Sequence, residues 1–595
     1  MTKGTEGSME TLWRAEQLMK EGKADEALPL VESLEKEKKL PPDARLTYQL
    51  LQSQLLIIAG DYGASQQLAA QLRQRSLDQG KVLQAVDASI VMAEALVEGG
   101  HYERGAKAIA EGEQMLTTVT NEASDAFAQR RASFIYLRGR ICLYKADLEQ
   151  AMEYFQQTLA MRQELGNKHE IAESLRNIGV IHSYKGDLEQ AIKFTQQALQ
   201  LFQEVSNKHH TAWCLTNLGA YHQGKGEFDR ALEYCQQGLA LFQELGNRNM
   251  IAYSLNMLGA FYFAKGELNQ ALEYNQQRQS LVEDLGNKWA MGDCFADFGW
   301  IYWHRGEVEL ALENFQQYVA IGQEIGNKQF IANGFGVIGI IHWQKGALDQ
   351  ALAHLEEGMS CYEEQGLNIA VGFYLYWMIL VFLDKGSLEQ AQQYLERLQD
   401  INEQEDHKGL SQVSRLAQAL VLKASPRIRD KGRAQELFQQ LIDEDMVHFV
   451  VTQGAMVSLC ELLLDELKAY GELSVFQEAS SLVDKLYSLA QNRQSFSLII
   501  TSLILKAKFA MIEGDLAIAA QYLEQARVTA EEKGLERLAE KVTGERDQLE
   551  MQFETWEQLI QRNAPFRERV EHARIIDYLK KAEKLVTRQN LEIPS

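Results

Sequence analysis

Proline is scarce: six occur in 595 residues, at Pro29, Pro41, Pro42, Pro426, Pro565 and Pro594, so Asp43 to Ser425 has none. Proline removes a backbone donor and clashes one turn back, so the gap permits long uninterrupted helices. Cysteine is equally sparse. Cys142, Cys214, Cys235, Cys294, Cys361 and Cys460 form no CxxC pair, which argues against a disulfide frame or a zinc site and for small core residues in a reducing compartment. The start, Met1 to Glu6, has no apolar segment and predicts no secretory signal. The longest apolar run, Val371 to Leu383, is too short to span a bilayer. A cytoplasmic protein is expected.

Positive charge is in deficit. Sixty Lys and Arg against 83 Asp and Glu leave a net charge of -23. That balance disfavours binding to nucleic-acid phosphates and to anionic membrane surfaces. One basic run, Lys423 to Arg433, reads as a solvated loop and a helix start. Several enzyme signatures are missing as well: GxxxxGK[ST], HExxH and GxSxG do not occur. His182, His222 and His342 fall at equivalent points of separate units and read as core. His209-His210 reads as a solvated pair at a helix start. No catalytic residue, cofactor or metal ligand is assigned.

What the chain does contain is repetition. A hydrophobic share of 46% indicates a folded protein. The length exceeds a single core, a limit that a solenoid escapes by growing lengthwise. From Phe134 to Gln393 the sequence repeats every forty residues. Lys185-Gly186, Lys225-Gly226, Lys265-Gly266, Arg305-Gly306, Lys345-Gly346 and Lys385-Gly386 mark the same point, and Lys145-Ala146 opens the series. Alanine follows five residues later each time, from Ala151 to Ala391. In the unit His169 to Lys208, Asn167 caps a helix and Glu170 is placed to answer it. The first helix buries Leu175, Ile178, Gly179 and His182 and ends at Lys185-Gly186. Asp187 opens the second, with Leu188, Ala191, Phe194, Ala198 and Leu199 on one face. Two antiparallel helices per unit follow, and the fold class is an all-α solenoid.

The flanks are less regular. Residues 1–127 read as irregular hairpins, in which Gly60 with Ser65 and Gly100 with Gly105 keep the turn spacing. Residues 128–400 form the regular array, 401–534 divergent hairpins, and 535–595 two long helices carrying Leu535, Leu538, Val542, Leu549, Trp556, Val570, Tyr578, Ala582 and Leu585. Those two helices either cap the last repeat or pair with helices of another chain or a second copy.

A glycine eight residues into the first helix (Gly139, Gly179, Gly219, Gly259, Gly299 and Gly339), a turn glycine seven later and alanine five beyond resemble the tetratricopeptide repeat. The usual unit is 34 residues; this longer form is similar to Pins-type adaptors, kinesin light chains and prokaryotic multi-repeat regulators. The resemblance implies a superhelix whose first helices line a concave, peptide-binding groove. On that stripe lie Trp213, Tyr253, Asn256, Phe263, Trp300, Trp303, Asn333, Trp343, Phe373 and Tyr376. Clustered aromatics mark an interaction site, unless the chain fills the groove itself. The family's clamp for a terminal carboxylate needs asparagine where this chain has Val180, Ala220, Ala260, Trp300, Ile340 and Leu380, so a chaperone-tail clamp is not expected. The expected function is a non-enzymatic scaffold that binds an apolar or aromatic protein segment, with the acidic balance favouring a basic partner. Its alternatives are a peptide-sensing regulator and an assembly subunit.

Overall fold

The proline-poor stretches fold as helices joined by short turns wherever the structure describes them. The computed structural model describes residues 3–579 except 21–23, 36–39, 120–123, 226, 406, 445–448, 493–494, 533–534 and 577. Among them are 29 helices and no strand. Two compact units divide the chain, 1–258 and 259–595. The division falls inside a helix of the regular array, where the repeat pattern shows no break.

The first unit holds α1 (Lys3–Lys20), α2 (Ala24–Glu35), α3 (Pro42–Ile58), α4 (Tyr62–Asp78), α5 (Val82–Glu98), α6 (Tyr102–Leu116), α7 (Asp125–Tyr144), α8 (Leu148–Leu165), α9 (Lys168–Tyr184), α10 (Leu188–Glu204), α11 (Lys208–Gly224), α12 (Phe228–Glu244) and most of α13 (Arg248–Ala264). Odd-numbered helices are the first of each hairpin, and successive helices pack side by side. The repeat glycines explain that packing. A methyl group on Gly179 would sit 2.5 Å from Thr195 Oγ1, and one on Gly219 2.3 Å from Cys235 Sγ. Only a residue without Cβ lets the two helices approach this closely. The alanines five past each turn, Ala151 to Ala391, are fully buried opposite them. In α3 and α4 a serine pair does the same work. Ser53 Oγ donates to the Ser65 carbonyl (2.9 Å) and Ser65 Oγ to that of Ser53 (2.8 Å), which satisfies both buried hydroxyls.

Capping follows the asparagines. Asn167 Oδ1 accepts from the His169 and Glu170 amides (3.1 and 3.4 Å), and Asn207, Asn247, Asn287 and Asn327 cap in the same way. The Glu170 carboxylate turns instead to Gln129 (3.1 Å) and Arg162 (3.4 Å). Gly186 takes the left-handed turn at φ 78°, and Ala146 occupies the same point at φ 60°. Gly226 lies outside the described residues.

The second unit continues with α14 (Leu268–Leu285), α15 (Lys288–Arg305), α16 (Val308–Ile325), α17 (Lys328–Gln344), α18 (Leu348–Glu363), α19 (Asn368–Asp384), α20 (Leu388–Gln404), α21 (Lys408–Ala424), α22 (Ile428–Asp443), α23 (Phe449–Tyr470), α24 (Leu473–Asn492), α25 (Phe496–Glu513) and α26 (Leu516–Glu532). Two of its first-of-pair helices are covered nearly all round: α19 is buried from Val371 to Ile379, and α25 from Ile500 to Leu505. Curvature within this unit brings the turn after α13 against the head of α25, so that a methyl group on Gly266 would lie 2.9 Å from the Phe496 ring.

The end of the chain departs from the two long helices expected. Three shorter ones form: α27 (Glu536–Met551), α28 (Phe553–Gln561) and α29 (Phe566–Ala573). Their apolar residues turn onto the same chain. Trp556 is buried, and α29 packs on α23 and α25 with Phe566 5.1 Å from Phe476. Arg569 donates to the Ile512 carbonyl (2.7 Å), an orphan acceptor at the end of α25, and buried Lys508 pairs with Glu545 (2.6 Å). This is the capping arrangement that an open solenoid end requires. Ala582 and Leu585 lie outside the described residues.

Candidate functional site

The inner stripe of a helix hairpin array is set by spacing: residues three and four apart share a face. In the first unit this stripe is charged toward the beginning and aromatic toward the end. Arg140 on α7 pairs with Glu98 of α5 (2.5 Å), and the Tyr144 hydroxyl donates to the same carboxylate (3.4 Å). Burial, with the Glu98 charge beside it, pushes the Glu94 carboxyl up to about 7. Arg162 reaches from α8 to Glu173 on α9 (3.4 Å) and lies 4.3 Å over the Tyr136 ring. Tyr136 in turn accepts from Asn177 (2.9 Å). Trp213 and Tyr253, from successive repeats, stand 5.5 Å apart, with Phe242 6.3 Å from Trp213. Tyr253 is 37% exposed, and Trp213 and Asn256 are half-buried.

In the second unit the stripe is mostly enclosed. Phe263 meets His304 edge-on at 4.7 Å, and Trp300 packs on Phe315 at 5.3 Å; both keep partial exposure. Asn333 does likewise, but its Oδ1 accepts the Tyr362 hydroxyl of α18. Trp303 is 1% exposed, within the core of Val308, Phe315, Ile338 and Ile341. Trp343 donates from Nε1 to Asp384 (2.9 Å) and packs 6.0 Å from Trp377. Trp343, Phe373 and Tyr376 are buried as well. Of the ten stripe residues expected to face a partner, these four serve as core: Trp303 packs on α16 and α17, and Trp343 on α19 of the next repeat.

Arg140 and Tyr136 are stripe residues that the sequence reading missed. Stepping the register back one repeat, to the unit of Gly139, places both on the stripe; the irregular loop ahead of α7 had ended the pattern there. Glu94 and Glu98 belong to an irregular repeat with no such signal. The three equivalent histidines sit within their own repeats as expected: His182 on Phe194 (5.4 Å), His222 on Tyr234 (5.3 Å) and His342 on His354 (5.3 Å). A different set converges between repeats. His169, Glu173 and His210 bring one ligand atom each to within 4.8 Å of one another. Among the described residues, no helix is long and apolar enough to cross a membrane.

The family model described as the MalT-like TPR region matches residues 106–291 and 257–538. No curated protein matches the chain. Among solved structures it is similar to a Rap protein complexed with competence and sporulation factor, at 15% identity, covering 62% of this chain and 100% of that one, with a TM-score of 0.42. The apo form of the quorum sensor NprR from B. thuringiensis is 15% identical over 61% of this chain and 99% of that one, with a TM-score of 0.46. A STAND protein with a tetratricopeptide repeat sensor from Pyrococcus horikoshii is 18% identical over 58% of this chain and 54% of that one, with a TM-score of 0.41. Likenesses of this degree carry no inference about function.

Proposed function

Because the chain belongs to the MalT-like TPR family, we propose that it acts without catalysis, as a scaffold holding a segment of a partner protein on the inner face of its repeats. The observation that carries this reading is the Trp213–Tyr253 pair. Two aromatic rings from successive repeats stand 5.5 Å apart, and Tyr253 stays 37% exposed. Each repeat already has its own core, so the pair is free to stack on an incoming apolar or aromatic side chain. The net charge of -23 favours basic flanks on that segment by steering its approach. Phe263 and Trp300 extend the same chemistry in the second unit. Assembly through the C-terminal helices has less support, because their apolar residues are already engaged on α23, α25 and α26.

The test is selection of displayed peptides on the full chain, followed by titration of the winners against wild type and a Trp213→Ala/Tyr253→Ala double variant. Aromatic or apolar peptides with basic flanks are expected to emerge. Losing two central aromatic contacts weakens binding about 30-fold or more, with helicity unchanged. Selection of no binder, or equal affinity in the double variant, would refute the proposal.

A further inference from the structure

Two histidines and a carboxylate from neighbouring repeats face one another where α9 and α11 begin. His169 and Glu173 are one turn apart on α9, and His210 follows one repeat later. Their three ligand atoms lie within 4.8 Å of one another. Two of the three donors are already oriented from behind. Nδ1 of His210 is 3.3 Å from Oδ1 of Asn207, the cap of its own helix. A proton held there leaves Nε2 bare, and Nε2 is the atom that faces Glu173, 3.9 Å from Oε1. Buried Arg162 holds the other carboxylate oxygen, Oε2, at 3.4 Å, which leaves Oε1 for a second partner. Nε2 of His169 is shut away from solvent and meets no hydrogen-bond partner.

We propose that His169, Glu173 and His210 form a site for one transition-metal dication of the zinc type, with a fourth coordination position open. Two imidazoles and one carboxylate make a donor set zinc accepts in three-ligand sites. Magnesium and calcium, which require oxygen ligands, are excluded. Protonation suits the donors. Burial, with Arg176 and His169 beside it, holds the His210 imidazole well below its usual value. Burial of Glu173 acts to raise its carboxyl, but His169, Arg162 and Arg176 outweigh it and hold it below the usual range. Zinc bonds of about 2.0–2.2 Å set donors roughly 3.4 Å apart in a tetrahedron, so the three must close by about 1 Å, a side-chain movement. Arg162 and Arg176 oppose any bare cation here, so direct coordination and not long-range attraction must hold the ion. Asn207 and Arg162 act as the groups behind the ligands that fix their orientation. An ion at this place ties two successive repeats together at Glu173, on the inner stripe.

The test uses the full chain, stripped with a chelator and titrated with zinc chloride against a chromogenic competitor, and separately with cobalt(II). Wild type is expected to take up one equivalent more than His210→Gln or Glu173→Gln, and to show the visible absorption of tetrahedral cobalt. Asn207→Ala should weaken that equivalent by about 10-fold or more. Helicity measured on each variant separates loss of a ligand from loss of fold, and His182→Gln, whose ring stacks on Phe194, should bind as wild type does. The same uptake in wild type and in folded Gln variants would mean that zinc sits elsewhere on this acidic surface and would overturn the proposal. So would wild type lacking both uptake and tetrahedral bands.

Discussion

Replacing Trp303 by alanine separates core from site most directly. The indole is 1% exposed and packs among Val308, Phe315, Ile338 and Ile341. A buried tryptophan covers roughly 200 Å² of surface, which at about 25 cal/mol per Å² corresponds to about 5 kcal/mol. Measured Trp→Ala losses in cores run about 3–5 kcal/mol, so the two routes agree on about 4 kcal/mol. In a solenoid that loss stays near its origin, because each repeat contacts only its neighbours. Faster amide exchange is therefore expected in α15, α16 and α17 before the rest of the chain. Urea unfolding followed by circular dichroism should show an earlier, broader transition, since long arrays lose two-state cooperativity. Tyr253→Ala, at the exposed end of the stripe, should shift stability by less than about 1 kcal/mol. The reasoning fails if Trp303→Ala costs under about 1 kcal/mol, or if exchange rises uniformly along the chain.

Other perturbations probe separate links. Gly219→Ala puts a methyl group 2.3 Å from Cys235 Sγ and 3.1 Å from the Ala231 carbonyl; forcing α11 off α12 should destabilise by about 1–3 kcal/mol, seen as a lower urea midpoint. Gly63→Ala, in α4, where a methyl group would meet only Asp61 Oδ1 at an ordinary 3.9 Å, should instead stabilise by about 0.5–1 kcal/mol. Burial raises the Glu94 carboxyl from 4.5 to about 7, so the folded chain binds that proton more tightly than the unfolded chain. The stability this provides is full below pH 4.5 and is lost as pH rises through 7. Glu94→Gln should match wild type at about pH 4 and exceed it at about pH 8 by about 1–3 kcal/mol, allowing for the group's partial exposure. An offset identical at both pH values would contradict that account.

Much of the fold can be read from the residues alone, because its causes are local. Asparagine caps, turn glycines and the glycine–alanine contact between paired helices each act within one unit of forty residues, so the sequence states them repeat by repeat. Periodicity likewise places Trp213, Tyr253, Phe263 and Trp300 on one stripe. Several features are not legible this way. The C-terminal apolar seam fits a cap and a coiled coil equally well; only the contacts of Phe566, Arg569 and Trp556 with their own chain show that it caps. His169 and His210 belong to different repeats at non-equivalent positions, so nothing in the pattern pairs them with Glu173.

By itself, then, the sequence determined the helix hairpin, its caps and turns, and which residues share a stripe of each first helix. Tertiary structure decided which stripe residues stay exposed. Trp303 and Tyr253 lie on the same stripe, yet one is core and the other half-open. The difference lies in what the neighbouring helices bring: Trp303 meets Val308 and Phe315 of α16 and Ile338 and Ile341 of α17, whereas Tyr253 meets Trp213 and keeps an open side. No single repeat encodes that outcome, because each helix packs on side chains supplied by its neighbours.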